Sequence, residues 1–586
     1  MPGRRRLVVP GLLILLAVAF FSWLGFQAMH AKSYLEQARS DAQQAREALS
    51  KADVGEATKL ADAAQSHAQQ ARNATHSVPW SIASAVPWLG SPFKAGQQIS
   101  DVVLGLAADV LKPSVDVAEV LSPDHLLGGG GRVNVQLLSD NSTKLEQLST
   151  AATNLDTQAK AITDPAYLSA IGDARSALQR QTSDLAGLLK NTALAGRLAA
   201  PMMGADGPRA YFIGFQTNAE ARGTGGLMGG FGILRFDNGA ATVDTLGQNA
   251  DLNKPFSPID LGREFNDQYA FNNPTTDWRN SNYSSHFPYA AQIWESMWQQ
   301  QSGETVNGAI SIDPIALSYI LGAVGPVTMA DGETITADNV VELTESTAYI
   351  RFADDNNARK VYLQDVAAAV VRKMTGHLDS PRQLLDALGK AVGEGRIAVW
   401  SSSPEQQKLL EETPLAHIVP DDPAPFASVV INNVGGNKLD YYLTREIEYI
   451  SGACDSATRK SEITVRLTNN TPDVPLPEYV AGHMGLDHLK VVDLPPATNA
   501  TSVTLLTTKG ATLSGAFVNG IKVPSVFGGM ERGHPTFEVQ LGLQRGQPVV
   551  IRWELNEPTA PGAARVPIQP LRDEVTPKVS VPECTG

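Results

Sequence analysis

Cysteine is nearly absent from this chain: its 586 residues include two, Cys454 and Cys584. No C-x-x-C pair exists, so neither a redox dithiol nor a cysteine-based zinc site has support. In an exported protein an even pair in one terminal region is most simply a single disulfide, which would tie the last residues back to the start of the last domain. Two unpaired thiols are the alternative. Charge is sparse as well, at 18% of residues with a net charge of −14. No segment is both basic and aromatic, which argues against a nucleic-acid partner. The ten histidines form no H-E-x-x-H, and there is no G-x-S-x-G and no Gly-Lys-Ser/Thr. Zinc hydrolysis, a serine-hydrolase elbow and a P-loop therefore lack their motifs. His483 and His488 have no metal-ligand spacing and read as surface residues.

What the chain has first is a long apolar run. Leu7 to Phe26 carries no charged residue, and twenty residues at ~1.5 Å each span the roughly 30 Å hydrocarbon core of a bilayer. Arg4, Arg5 and Arg6 precede it, and the next positive charge is Lys32. The positive-inside rule then predicts a cytoplasmic N-terminus (1–6), a transmembrane helix (7–28) and export of everything after Ala31. The expected location is the cytoplasmic membrane, single-pass, with the bulk of the chain extracytoplasmic. A cleaved signal peptide would have an apolar run of ~7–15 residues and a small-x-small site. The run is longer than that, and the nearest candidate site is Ala28-Met29-His30.

A chain this long exceeds one core. Residues 31–200 read as an extracytoplasmic helical region: Ala, Gln, Glu and Lys dominate 33–74, broken at Asp53-Val54-Gly55, which predicts an antiparallel helical hairpin or a continuous stalk. Pro79 to Trp88 (PWSIASAVPW) interrupts the pattern. Val102 to Leu111 reads as a helix lying against the membrane or the hairpin. Gly128 to Gly131 is a linker, and helical periodicity returns from Val135 to Leu198. At about Pro208 the texture changes. Runs at 211–215, 232–236 and 241–246 have strand length, and Asp237-Asn238-Gly239 marks a hairpin. Helices are predicted at Pro288–Gln301, Pro314–Ala323 and Lys360–Met374, with strands at Ala309–Ile312, Ile397–Trp400 and Ser428–Ile431. That interleaving predicts an α/β (α+β) domain over 205–435. From 437 to 586 short alternating runs separated by Pro, Gly and Asn predict a β-sandwich-like domain.

Two stretches carry candidate chemistry. Asn218-Ala-Glu220-Ala-Arg222-Gly-Thr-Gly225-Gly226 is glycine-rich. Its glycines permit close backbone approach, and its arginine suits a phosphate or carboxylate. The bland alternative is a glycine-rich hairpin with an Arg222–Glu220 surface pair. The second stretch runs from Thr347 to Gln364. Arg359 opens a helix with the wrong sign for the helix dipole, which points to something anionic held nearby. Asp354 and Asp355 would suit Mg²⁺, which takes one or two carboxylates plus phosphate oxygens; alternatively Asp355 caps the helix and the rest is surface charge. Arg279, in the polar loop Asp277–Asn282, is a further candidate pocket residue.

The run YFIGFQTNAEARGTGGLMGGFGILRFDNG, with NNVGGNKLDYYLTREIEY at 432–449, resembles an actinobacterial, membrane-anchored envelope family known as domain of unknown function 4012. A more distant similarity is to the LytR-CpsA-Psr family, which moves glycopolymers from polyprenyl-pyrophosphate to the cell wall using arginines and Mg²⁺. The segment 307–329 looks like that family's strand–helix piece. LTESTAYIRFADDNNARKVYLQD (343–365) looks like its Ala-Tyr-x-Arg … Asp … Arg … Gln segment. Residue by residue, Arg351, Asp355, Arg359 and Gln364 fall on matching positions, and so does Arg222. The chain departs from the pattern at Gly247–Asp251, which lacks the Arg-Asp pair, at Ala353, which replaces a second arginine, and at Thr217 and Asn218, where an early aspartate is missing.

The resemblance implies an envelope protein acting on or binding a polyprenyl-pyrophosphate-linked glycopolymer or cell-wall glycan. Arg222, Arg351 and Arg359 would hold the pyrophosphate, with Asn218, Glu220, Gly225, Gly226, Gln364 and Arg279 around the substrate. Asp355 with Asp354 would hold Mg²⁺, and Glu220 or Asp251 would serve as base. The alternative is a non-catalytic envelope scaffold or a glycan- or lipid-binding protein.

Overall fold

The computed structural model of the chain describes residues 5–584 other than 52, 88, 128–131, 375, 377–379 and 487–493, with side chains from residue 20 onward apart from 50, 123 and 124. It falls into two compact units, one of Met1–Gly128 with Val133–Ala205 and one of Gly129–Arg132 with Asp206–Gly586.

The first unit is helical: α1 (Arg5–Ser50), α2 (Val54–Thr75), α3 (Val78–Ser84), α4 (Ser91–Gly105), α5 (Lys112–Val120), α6 (Pro123–Leu126), α7 (Val135–Lys160) and α8 (Ser169–Met202). The chain turns back between α1 and α2, where Asp53 caps α2 by accepting the Glu56 N–H at 3.0 Å, so the two helices form a hairpin and not a stalk. Alanines 57, 61, 64, 68 and 71 recur every three or four residues and are buried, giving α2 a narrow face that lets α1 approach closely. His67 closes the pair by a 2.7 Å contact to Asp41. Helices α7 and α8 make a second antiparallel pair, locked where Ser183 and Thr182 donate to Asp156 at 2.7 and 3.1 Å. Residues 102–111 lie inside this bundle: Val102 packs with Ala159 and Val110 with Ala152 and Leu155. Among the described residues no helix is long and apolar enough to cross a membrane. The anchor expected over 7–28 lies largely outside the residues whose side chains are described.

The second unit opens with β1 (Arg209–Arg222), β2 (Gly225–Asp237) and β3 (Ala240–Gln248), followed by α9 (Arg263–Tyr269), α10 (Phe287–Ser302), β4 (Gly308–Ile312) and α11 (Pro314–Val324). A short hairpin, β5 (Val327–Thr328) and β6 (Thr334–Ile335), leads to α12 (Val340–Glu342), a π-helical turn (Leu343–Thr347), α13 (Ala348–Arg351), α14 (Asn356–Met374), α15 (Pro381–Gly393), β7 (Ile397–Ser401) and α16 (Pro404–Leu410). The sheet order is β3-β2-β1-β4-β7, with β4 parallel to β1 and the other pairs antiparallel. Side chains alternate across the sheet. Phe212 and Phe231 face α10, packing on Trp294, Met297 and Trp298, while α11 and α14 meet on the opposite side through Leu321, Val366 and Val370.

A β-sandwich follows: β8 (Ala427–Asn433), β9 (Leu443–Ser451), β10 (Thr458–Asn469), the single turn α17 (Glu478–Ala481), β11 (Asn499–Thr507), β12 (Thr512–Val518), β13 (Ile521–Lys522), β14 (Phe527–Glu531), β15 (His534–Leu543), β16 (Val549–Pro558) and β17 (Lys578–Ser580). Its sheets run β13-β12-β16-β10-β9-β17 and β14-β15-β11-β8, and their inner faces share one core containing Tyr449, Val465, Val503, Val539 and Trp553. Strand β8, expected within the α/β domain, pairs antiparallel with β11 from Ala427–Thr507 to Asn433–Thr501. The sandwich therefore starts ahead of residue 437, because the strand's apolar residues find their partners there. Cys454 and Cys584 are disulfide-bonded.

Candidate ligand cleft

Between the outer face of the first sheet and α14 lies a cleft of about 120 Å³. Its walls are apolar: Phe215, Leu227, Phe231, Leu246, Leu317, Leu363 and Val366. Its polar lining includes Arg359, Lys360, Lys438, Glu345 and Gln364, with the rings of Tyr349 and Tyr479. The two tyrosine rings stack with centroids 5.8 Å apart. The Arg359 guanidinium sits 4.0 and 4.6 Å from the Tyr479 and Tyr349 centroids, and the Lys438 ammonium 5.2 and 5.6 Å from them. Aromatic faces attract cations, which offsets part of the cost of taking these two out of water.

The two buried cations differ in their partners. Lys438 is ion-paired with Glu220. Burial opposes both charges, yet the Lys438 ammonium and the Arg222 guanidinium hold the Glu220 carboxyl below its usual range, and Glu220 keeps Lys438 protonated. Arg359 is 3% exposed, and its side chain donates to the neutral amide of Asn356. Among the described residues neither Arg359 nor its neighbour Lys360 has a carboxylate at ion-pair distance. Burial, with Arg359 beside it, lowers the affinity of Lys360 for its proton. The cleft therefore carries positive charge in excess.

Glu345 forms the floor from the π-helical turn. One carboxyl oxygen accepts the Ala219 N–H and the Thr217 hydroxyl, while the other, Oε1, is buried without a partner among the described residues. Burial pushes its carboxyl up to about 7; the nearby Asp313 adds to this, and Lys438 acts against it. Such π-turns in helices are frequent at functional sites.

The other candidates lie elsewhere. The glycine-rich stretch is no open loop: it is the tip of the β1–β2 hairpin, with Arg222 opposite Gly225 and Gly223-Thr224 turning between. Gly225 has φ +133°, and a Cβ on Gly226 would meet the Thr217 carbonyl oxygen at 2.1 Å, so backbone packing demands these glycines. Arg222 is engaged by protein: it donates to Glu220 at 3.0 Å and to the carbonyls of Asn433 and Arg279 at 2.8 and 3.0 Å. The Arg222–Glu220 pair is buried and not on the surface. Asn218 donates to the Pro570 carbonyl at 2.8 Å, and its Oδ1 is buried without a partner among the described residues. Arg279 is exposed and paired with Asp277 at 2.9 Å.

Arg351 makes a bidentate bridge to Glu333 at 2.7 and 3.0 Å and does not line the cleft. Gln364 lines it, reaching the Leu246 carbonyl at 3.4 Å. Asp355 caps α14 by accepting the Ala358 N–H at 2.9 Å, and Asp354 beside it is exposed. Asp251 accepts the Gln248 N–H at 2.8 Å in a capping box. The structure thus gathers Arg359 and Gln364 at the cleft and disperses the rest. Sequence reasoning passed over Lys438, Tyr479 and Glu345. Glu345 and Lys438 both lay inside quoted motifs, but Lys438 stands 218 residues from its partner Glu220.

A larger open groove of about 620 Å³ runs past Arg396, His417 and Asp573. Its buried charges are already matched, Arg396 to Asp313 at 2.9 Å and Asp573 to Arg445 at 2.7 Å.

The fold and the cleft define an α+β protein with an apolar recess headed by unneutralised cations. Residues 206–349, which hold the sheet hairpins, α10, α11 and the π-turn, match the model of a family described as "Protein of unknown function (DUF4012)". No curated protein and no solved structure matches the chain.

Proposed function

We propose that the cleft binds the anionic head and first apolar segment of a membrane-carried amphiphile of the polyprenyl-phosphate-linked glycan kind, and that the protein works as a lipid- or glycan-binding component at the outer face of the cytoplasmic membrane. The observation that carries this reading is Arg359: a buried guanidinium, without a carboxylate, at the head of an apolar cleft. A buried charge left unmatched is costly, and a bound phosphate would match it. The size of the cleft supports a partial fit: about 120 Å³ compares with an apolar cavity of roughly 150 Å³ that takes one benzene. About one isoprene unit would enter and the remaining chain would stay in the bilayer. The apolar run of α1 supports the location.

The Mg²⁺-dependent transferase reading has less support. Asp354 and Asp355 are exposed and do not line the cleft, and among the described residues no three His, Cys, Asp or Glu gather as a metal site. These residues do not fit a resident ion. Glu345, a carboxyl poised near neutrality in the cleft, is the observation that favours proton-transfer chemistry.

The test is binding of a short-chain polyprenyl phosphate and of the matching neutral polyprenol to the full chain in micelles. A charge-assisted hydrogen bond contributes about 1.5–3 kcal/mol, so Arg359→Ala should weaken the phosphate about 10- to 100-fold and leave the alcohol unchanged, with Arg359→Lys between them. Equal affinity of the original protein for phosphate and alcohol would sink the reading.

A further inference from the structure

Between α2 and α4 the segment SVPWSIASAVPWLGSPF (77–93) holds no charged residue. Its fold turns one ring inward. Trp80 is 5% exposed and packs with Leu24 of α1 and with Ala83, beside Phe20, Ala28 and Phe93. Its indole N–H donates to the Phe93 carbonyl at 2.8 Å, and the two rings meet edge-on at 5.4 Å. The segment is thereby fastened to α1 at residues 20–28. Its remaining apolar side chains stay outside: Val78, Ile82, Val86 and Leu89 are 66%, 53%, 40% and 58% exposed. Phe21, Trp23 and Phe26 of α1, on the stretch it is fastened to, are 67%, 50% and 58% exposed. Contiguous exposed apolar surface of this kind marks an interaction face.

We propose that residues 77–93 form a second membrane contact, with α3 and the turn after it seated in the outer interfacial layer of the bilayer beside α1. The occupant is lipid because the patch continues the charge-free run Leu7–Phe26 along the same helix. The segment ends at Lys94, where charge returns. Two contacts set side by side fix the tilt and rotation of the helical unit on the membrane, which a single helix does not. The inference rests on the reading of α1 as an anchor and is independent of the cleft.

The test uses the full chain in phosphatidylethanolamine/phosphatidylglycerol vesicles, with nitroxide labels on Ile82→Cys and Leu89→Cys. Phe21→Cys serves as the anchor reference and Lys59→Cys as the water reference. The native cysteines are joined to each other and take no label. Collision with oxygen, which concentrates in lipid, is compared with collision with a water-soluble nickel chelate. Positions 82 and 89 are expected to match Phe21, several-fold above Lys59 in the oxygen-to-nickel ratio. A ratio like that of Lys59, with Phe21 in lipid, overturns the second contact and leaves the anchor standing. Exclusion of both reagents at 82 and 89 overturns it in favour of a protein partner. A watery Phe21 overturns the anchor and the inference together. Unchanged far-ultraviolet dichroism verifies that each variant is folded.

Discussion

Glu345→Gln should stabilise the second unit in a way that depends on pH. In the native protein Glu345 is buried, one oxygen accepts two hydrogen bonds and the other accepts none among the described residues. Its carboxyl is pushed up to about 7 by burial, against an ordinary value of 4.5. The fold therefore holds the proton more tightly than the unfolded chain does. This contribution to stability is fully present below pH 4.5 and is lost as pH rises to about 7, where the charged form would be buried. At about 1.4 kcal/mol per pKa unit the loss is about 3 kcal/mol. Glutamine keeps the carbonyl that accepts from Ala219 and Thr217 and cannot ionise. The difference between variant and original should be small and flat below pH 4.5 and should grow to about 3 kcal/mol in favour of the variant above pH 7. Urea unfolding in micelles followed by tryptophan emission reads it, because Trp294 and Trp298 lie buried in the same sheet layer. His286 and His417 titrate in the same window with the opposite sign, but both are present in each protein and cancel in the difference. A difference that stays flat from pH 4.5 to 8 would refute the argument that Glu345 is a buried acid.

Three further outcomes follow from other buried groups. Glu220→Gln leaves the Lys438 ammonium buried without its carboxylate and should cost about 3–5 kcal/mol in the same urea assay; the double variant with Lys438→Met should recover most of that loss. Opening the Cys454–Cys584 bond, which spans 130 residues, should lower stability by up to about 5 kcal/mol on the chain-entropy model, measured as the shift in urea midpoint between oxidised protein and the Cys454→Ser/Cys584→Ser variant. His286 and His417 are held below their ordinary value by burial, so the stability tied to their neutral rings is complete above pH 6.5 and declines as pH falls. His286→Gln should flatten that acid limb in thermal melts across pH 5 to 7.5.

The local signals that were legible are those whose cause is local. Asn238-Gly239 turns β2 into β3 because both positions take positive φ, which asparagine and glycine tolerate. The alternation across Ser461–Thr468 is the inward and outward face of β10, with Ile463, Val465 and Leu467 in the core. Arg359 stood out because a cation is misplaced at a helix start, and it heads the cleft. The glycine-rich stretch gave the same signal for either of two causes, a ligand cradle or a packed hairpin. What separates them lies far off in sequence: the Ala221 N–H donates to Asp440, 219 residues on, and the Arg222 carbonyl accepts from Gln569, 347 residues on. No window of residues around Arg222 contains that information. The same distance hid Lys438 and Tyr479, which reach the cleft from the sandwich side of the unit.

Arg222 and Arg359 therefore separate two meanings of a buried arginine. Both are almost wholly removed from water, at 4% and 3% exposure, and both pack against tyrosine, Arg222 at 5.2 Å from the Tyr283 ring centre. Arg222 makes four hydrogen bonds within the protein, to a carboxylate and three main-chain carbonyls, which fixes the hairpin to the sandwich. Arg359 spends one on a neutral amide and faces an apolar recess whose own acid, Glu345, is held toward its neutral form. Removing Arg222 would break a fold contact, whereas removing Arg359 would abolish a charge that the protein leaves unmatched. That asymmetry, and not the presence of arginines in the sequence, singles out Arg359 as the group that would meet a ligand.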